Sequence, residues 1–228
     1  LTEDLLHRKG NREKAQMSYT PPATGLFSQP DINAFLKEEF PSRGINILWN
    51  HPLVGIEPEL KRATFKTPEG NQTLDYDFIH VVPPMQAPQP LADSELAWQE
   101  GSFASGHWME VDKFTLQHRR YANVFGSGDC LGVPIGKTAA SVKAQVPVAT
   151  ANLISSIAGQ ALSAQYNGYT SCPLITRKGQ GILVEFNYDL DMVPSFPFIS
   201  PYEQHWFPWM LKDRMLHAAY NAMLRGRV

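Results

Sequence analysis

The chain has 228 residues, 43% of them hydrophobic and 18% charged, with a formal net charge of −2 at neutral pH. That apolar fraction suffices for a packed core, and the scattered lysines and arginines exclude the massed positive charge that nucleic acid demands. Two cysteines make no disulfide framework and fit no zinc spacing, so no metal is expected, and no apolar run approaches the ~20 residues of a membrane-spanning helix.

Leu1 to Lys9 reads as a short helix with charged flanks. Ile32, Phe35, Leu36 and Phe40 repeat at helical spacing, and Pro41 and Gly44 are expected to close that helix. Ile45 to Trp49 and Leu53 to Ile56 read as strands. Ala63 to Thr67 and Thr73 to Tyr76 flank the turn signal Pro68-Glu-Gly-Asn71, which predicts a hairpin. Phe78 to Val82 reads as a buried strand stopped by Pro83-Pro84, with His80 as a structural histidine on it. Residues 85–106 are a pattern-poor connection. Phe114 to Arg120 is a short basic stretch that reads as a solvated face. Ala122 to Phe125 is predicted as a buried parallel strand ending in Gly126-Ser-Gly128-Asp129. Val142, Val146, Ala149, Leu153 and Ile157 then recur at helical spacing from Lys137 onward, with Gly159 as the stop and Pro147 as an expected kink or break. Cys172 is placed in a loop before a strand over Gly181 to Phe186.

Two stretches carry chemistry. The glycines of Gly126-Ser-Gly128-Asp129 let the backbone turn sharply and a ligand approach closely. Asp129 is then placed to accept hydrogen bonds from a polyol. The following helix start favours an anion or an electron-rich ring edge, and Lys137 there is either a surface cap or a charge partner for such a ligand. Farther on, Cys172 stands between Ser171 and Pro173. Taken alone, a free thiol is either a small buried hydrophobe or an acceptor for sulfur exchange. Cys130, directly after Asp129, is the rival thiol.

The blocks Val111-Asp-Lys, Leu116-Gln-His-Arg-Arg-Tyr121, Val124-Phe-Gly-Ser-Gly-Asp-Cys130, Lys137-Thr-Ala-Ala140, Tyr166-Asn-Gly-Tyr-Thr-Ser-Cys-Pro-Leu174 and Glu185-Phe-Asn-Tyr188 occur in one order. In this the chain resembles the sulfide:quinone oxidoreductases, flavoproteins of the two-dinucleotide-domain disulfide reductase superfamily. The resemblance runs from Leu1 to about Arg225, and Thr-Ser-Cys-Pro-Leu is its specific part. No Gly-x-Gly-x-x-Gly loop opens the chain, so the resemblance implies an α/β fold that is the C-terminal portion of a two-Rossmann-domain, FAD/NAD(P)-binding flavoprotein. Residues 1–84 are then the rest of the second dinucleotide domain, 85–160 the return to the FAD domain, and 161–228 a quinone- and membrane-facing region.

The resemblance further implies that sulfide attacks a disulfide of which Cys172 is the downstream member. A persulfide is left on one sulfur, and two electrons pass through FAD to a quinone. Gly128, Asp129, Lys137 and Thr138 would bind FAD, held weakly or not at all by these residues alone. Val133-Pro-Ile-Gly136 departs from the family's Leu-Pro-Thr-Ser and removes two hydroxyls there. Phe186, Tyr188, Phe196 and Phe198 are candidate quinone walls. The aromatic, cation-flanked tail from Tyr202 to Arg225 reads as an amphipathic helix lying on a lipid bilayer surface, or as a helix packed on its own domain. The expected setting is peripheral, on a bacterial or mitochondrial inner membrane; no feature speaks to oligomeric state. The alternatives are a type-II NADH:quinone dehydrogenase, which does not need the Cys172 thiol, and a non-catalytic membrane-docking module.

Overall fold

A computed structural model describes residues 1–227 and resolves two compact units, Leu1–Pro83 and Pro84–Val228. In the first unit, helix α1 (Thr2–Arg8) precedes strand β1 (Met17–Tyr19), helix α2 (Pro30–Ser42) and strand β2 (Ile45–Ile47). β1 and β2 are parallel, with Met17 opposite Ile45, so α2 is the crossover that a parallel pair requires. Pro30 opens α2 with its φ already suited to a helix, and the Gln29 side chain accepts the Ile32 amide at 2.9 Å. The helix buries Ile32 and Leu36. It runs through Pro41 rather than ending there. Gly44, at φ 66°, follows the end of α2, and the Arg12 guanidinium donates to the carbonyls of Ala15, Arg43 and Gly44 at 2.7 Å each.

Strands β3 (Leu53–Glu57), β4 (Arg62–Thr67) and β5 (Gly70–Asp75) form an antiparallel meander in which Ala63 and Phe65 point into the core. The expected strand over 78–82 does not form. Phe78 and Val82 are 76% and 77% exposed, and His80 is exposed as well. Strand propensity needs a neighbouring edge to pair with, and none of the described strands pairs with these residues.

The second unit begins with a short helix, α3 (Gln89–Ala92), and follows an irregular path to helix α4 (Ala139–Ile157). The parallel strand predicted over 122–125 is absent. Phe125 makes one antiparallel bridge to Gln117; further single bridges join Ala97 to Met109 and Val111 to His118, both antiparallel, and Met109 to Leu131, parallel. Met109, Val111, Leu116, Leu131, Val133 and Tyr166 form the core these bridges enclose.

α4 stays continuous through Pro147. Its buried residues are polar: Ser141, Gln145 and Asn152. Val146, Leu153 and Ile157, three of the five residues of the expected apolar stripe, are exposed, as is the neighbouring Ile154. Asn152 is fully buried; it donates to the carbonyls of Thr115 and Ala164 at 2.9 Å and accepts the Ala164 amide at 3.1 Å.

Strands β6 (Thr170–Arg177) and β7 (Gln180–Phe186) form an antiparallel hairpin turned at Gly179, φ 86°. The tail is one helical run of α5 (Trp206–Met210), a wider π turn over Leu211–Met215, and α6 (Leu216–Met223). No helix among the described residues is long and apolar enough to cross a membrane.

Candidate functional site

The turn over 126–130 and the start of α4 form one structure. Gly128 adopts φ 82°, in the left-handed region that favours glycine, and a 3-10 turn carries Asp129 and Cys130. The Gly128 amide donates to Oε1 of Gln145 at 2.7 Å, which locks the turn to α4. Gly128, Asp129, Gly136, Lys137, Thr138, Ser141 and Gln145 line a narrow hollow of about 10 Å³. All four residues predicted to bind a cofactor are therefore brought together. Asp129 is exposed, and its carboxylate accepts no hydrogen bond from the described residues. The amides of Ala139 and Ala140 stand at the start of α4, ahead of the first intrahelical bonds.

Lys137 and Thr138 are engaged within the protein. The Lys137 ammonium donates to the Leu131 carbonyl at 2.7 Å and lies 3.7 Å from the Trp108 ring centroid, a cation–π contact. Burial lowers its pKa below the ordinary lysine value, against the opposing pull of Asp129. Thr138 caps α4 by accepting the Ser141 amide at 3.1 Å. Its hydroxyl also lies 3.1 Å from that of Thr170, the first residue of β6.

That contact ties the turn to the strand bearing the second motif. Cys172 lies within β6, not in a loop, and pairs across the hairpin with the fully buried Val184. The Tyr169-to-Leu174 block has to be extended because seven successive residues of β7 pair with it or close beside it, and the apolar run of β7 is buried from Gly181 to Phe186. Cys172 is half-buried. Cys130 is half-buried too; burial pushes its thiol pKa up, and its Sγ donates to the Ser127 carbonyl at 3.3 Å. Both cysteines are free thiols.

The four aromatic candidates divide into groups. Phe186 is 3% exposed and lies on the same hairpin face as Cys172, opposite Thr170. Tyr188 packs edge-on against Tyr166 and Phe114, and its hydroxyl donates to the Lys113 carbonyl at 2.8 Å. Burial raises its pKa. Phe196 meets Phe198 at 5.8 Å and Phe207 of the tail at 5.0 Å, and Phe198 is 77% exposed.

Residues that sequence reasoning missed include Gln145, Trp108 and Glu185. Gln145 is a polar residue three positions beyond Val142 in the helical run, which is the available signal that this helix buries a polar face. Glu185 stands inside an apolar strand run, again a polar residue where the pattern calls for none.

The tail is fastened to the hairpin. His205 and Gly181 exchange backbone hydrogen bonds at 2.8 and 2.9 Å, Thr176 donates to Gln204 at 2.6 Å, and the Lys212 ammonium reaches the Pro173 carbonyl at 3.0 Å. Trp206, Met215, Leu216, Tyr220 and Leu224 remain exposed.

No family model matches the chain. Among curated relatives, the mitochondrial sulfide:quinone oxidoreductase of Dictyostelium discoideum is 39% identical over 228 residues, covering 100% of this chain and 49% of its own. That of Mus musculus is 34% identical, covering 99% and 50%. The chain thus spans about half the length of the curated relatives it matches. Among solved structures, the sulfide:quinone oxidoreductase of Aquifex aeolicus aligns with TM-score 0.69 at 17% identity, covering 99% of this chain and 53% of that one. A chain in the Tetrahymena thermophila mitochondrial ATP synthase aligns with TM-score 0.84 at 22% identity, covering 100% and 55%. At such identities the two structures speak to the fold alone, an α/β arrangement shared with sulfide:quinone oxidoreductase.

Proposed function

The chain is homologous over its whole length to the sulfide:quinone oxidoreductase family, and from that premise we propose that it forms the C-terminal half of a flavoenzyme that oxidises sulfide and reduces a membrane quinone. The observation that carries the reading is the 3.1 Å contact between the Thr138 and Thr170 hydroxyls, which fastens the cofactor turn to the strand of Cys172.

FAD, when bound, supplies a two-electron acceptor for the sulfur chemistry and a two-electron donor for quinone. The residues present suit it. Asp129 offers an open carboxylate to ribityl hydroxyls, Gly128 presents no side chain to the ligand, and the start of α4 offers amide donors and a positive end. Thr138 and Lys137 hold that helix start in place, and Lys137 keeps a positive charge beside it. Cys172 is the sulfur acceptor: paired with a second cysteine as a disulfide, it is opened by sulfide, which leaves a persulfide on one sulfur and a thiolate on the other. The fixed hairpin holds that sulfur in place against the rest of the unit.

Phe186, Tyr188, Phe196 and Phe198 supply flat apolar surface, and Phe196 with Phe198 continues into the tail. The exposed aromatic and aliphatic residues of the tail, flanked by Arg214 and Arg225, suit the surface of a bilayer. The reading sets it peripherally on an inner membrane; of this, the relatives' names support the mitochondrion. An NADH:quinone dehydrogenase and a non-catalytic module are not favoured by those relatives.

Cys172→Ser in the complete flavin-loaded protein tests the reading. Sulfide-dependent quinone reduction should fall at least 100-fold while the flavin stays bound (about 2.7 kcal/mol in the barrier). Turnover within twofold of the parent would refute the role of Cys172.

A further inference from the structure

Glu185 is a buried carboxylate that the sulfur chemistry does not use. It lies in β7 at 2% exposure, opposite Ser171 and one position from the Val184–Cys172 pair, so it projects from the hairpin face away from Cys172. Its oxygens accept the Ser195 amide and the Ser195 hydroxyl at 2.8 Å each, and also the Tyr169 hydroxyl. The Tyr169 hydroxyl lies 3.1 Å from that of Ser195, which closes the triangle. Every one of these donors is neutral. A carboxylate buried without a cation is costly unless hydrogen bonds compensate it, and charge-assisted bonds of this kind hold their donors more tightly than neutral ones.

The segment they hold is specific. Ser195 immediately precedes Phe196, whose ring meets Phe198 and Phe207. On its other side, Val193 donates its amide to the Glu185 carbonyl at 2.9 Å, and Met192 bridges to Phe186. One residue thus binds the chain leading to the aromatic cluster through both its side chain and its backbone. Tyr169 connects the same carboxylate to the start of the Cys172 strand.

We propose that Glu185 is a positioning residue for quinone reduction: through Ser195 it sets the Phe196–Phe198 face against the hairpin that carries Cys172. This rests on the reading of Phe196 and Phe198 as a quinone wall. Replacing the carboxylate by an amide leaves one acceptor oxygen and turns an NH2 group toward donors, so the segment loosens while the face of Cys172 is untouched.

The experiment uses the complete holoenzyme and separates the two halves of the reaction. In Glu185→Gln the KM for a soluble short-chain quinone should rise about tenfold, with the single-turnover rate of flavin reduction by sulfide within twofold of the parent. Ser195→Ala, at an exposed position that does not threaten folding, should raise the same KM about threefold, and Ser195→Thr should restore it. An unchanged quinone KM in both Glu185→Gln and Ser195→Ala, or a parallel loss in both half-reactions, would overturn the proposal. Phe196→Leu distinguishes the two levels. If it leaves the quinone KM unchanged, the quinone-wall reading fails and takes the proposal with it. If Phe196→Leu raises KM while Glu185→Gln and Ser195→Ala do not, the positioning role alone is wrong.

Discussion

Replacing Gln145 by leucine should weaken flavin binding chiefly through the turn that its side chain fastens. Gln145 is 2% exposed, and its side-chain oxygen takes the Gly128 amide at 2.7 Å. Leucine has a similar volume, so the packing of α4 changes little. The Gly128 amide is left without its acceptor, in a turn where Gly128 adopts φ 82°. Stranding a part-buried amide costs about 1–3 kcal/mol. Because the loss falls on the turn that presents Asp129, most of it should appear as flavin affinity, about tenfold at 1.4 kcal/mol and up to ~150-fold at 3 kcal/mol. The assay is titration of FAD into the flavin-stripped complete protein, followed by flavin fluorescence. A dissociation constant within twofold of the parent would show that the Gly128–Gln145 bond does not organise the site.

Two further outcomes follow from the geometry. Burial lowers the Lys137 pKa in the folded state, so the folded protein releases this proton before the unfolded chain does. The unfolded state then binds more protons between the lowered value and the ordinary 10.5, and stability from this group rises with pH across that window. The melting temperature of the parent should therefore gain on that of Lys137→Met as pH climbs toward 10.5, and a flat or falling difference would refute the burial of the charge. At the tail, ending the chain after Arg214 spares the His205, Gln204 and Lys212 contacts while removing the exposed Met215, Leu216, Tyr220 and Leu224. Binding of the complete protein to anionic lipid vesicles should drop at least tenfold; equal binding by both forms would assign that surface to something other than lipid.

What could be read in the sequence was whatever depends on neighbours along the chain. The β4–β5 hairpin follows from Pro68-Glu69-Gly70, α2 from its apolar spacing and α4 from its own, all interactions within a dozen residues. The clustering of Gly128, Asp129, Lys137 and Thr138 was legible for the same reason. The facing of α4 was not. Its periodicity is right, but the groups that need burial-grade partners are the orphan amides and carbonyls of Gly128, Thr115 and Ala164, and Gln145 and Asn152 turn inward to meet them. The strand expected over 122–125 failed because a short apolar run cannot announce whether a partner edge exists. Phe125 found a single bridge to Gln117 instead. The loop expected around Cys172 is instead strand β6, and Pro173 is tolerated within it because a two-stranded hairpin leaves an outer edge where a missing amide costs little.

The single bridges of the second unit bear on how this protein can change over evolutionary time. A continuous ladder such as β4–β5 can accept residues added at its turn, since the pairs behind the turn keep their register. Ala97–Met109, Met109–Leu131, Val111–His118 and Gln117–Phe125 have no such reserve. Each join is one pair long, and Met109 serves two of them. A residue gained or lost between 110 and 130 would displace several joins at once, with no neighbouring pair to take over. Length in that stretch should therefore be held rigidly among descendants of the same ancestor, even where side chains drift, while the tip of the β4–β5 hairpin is free to grow.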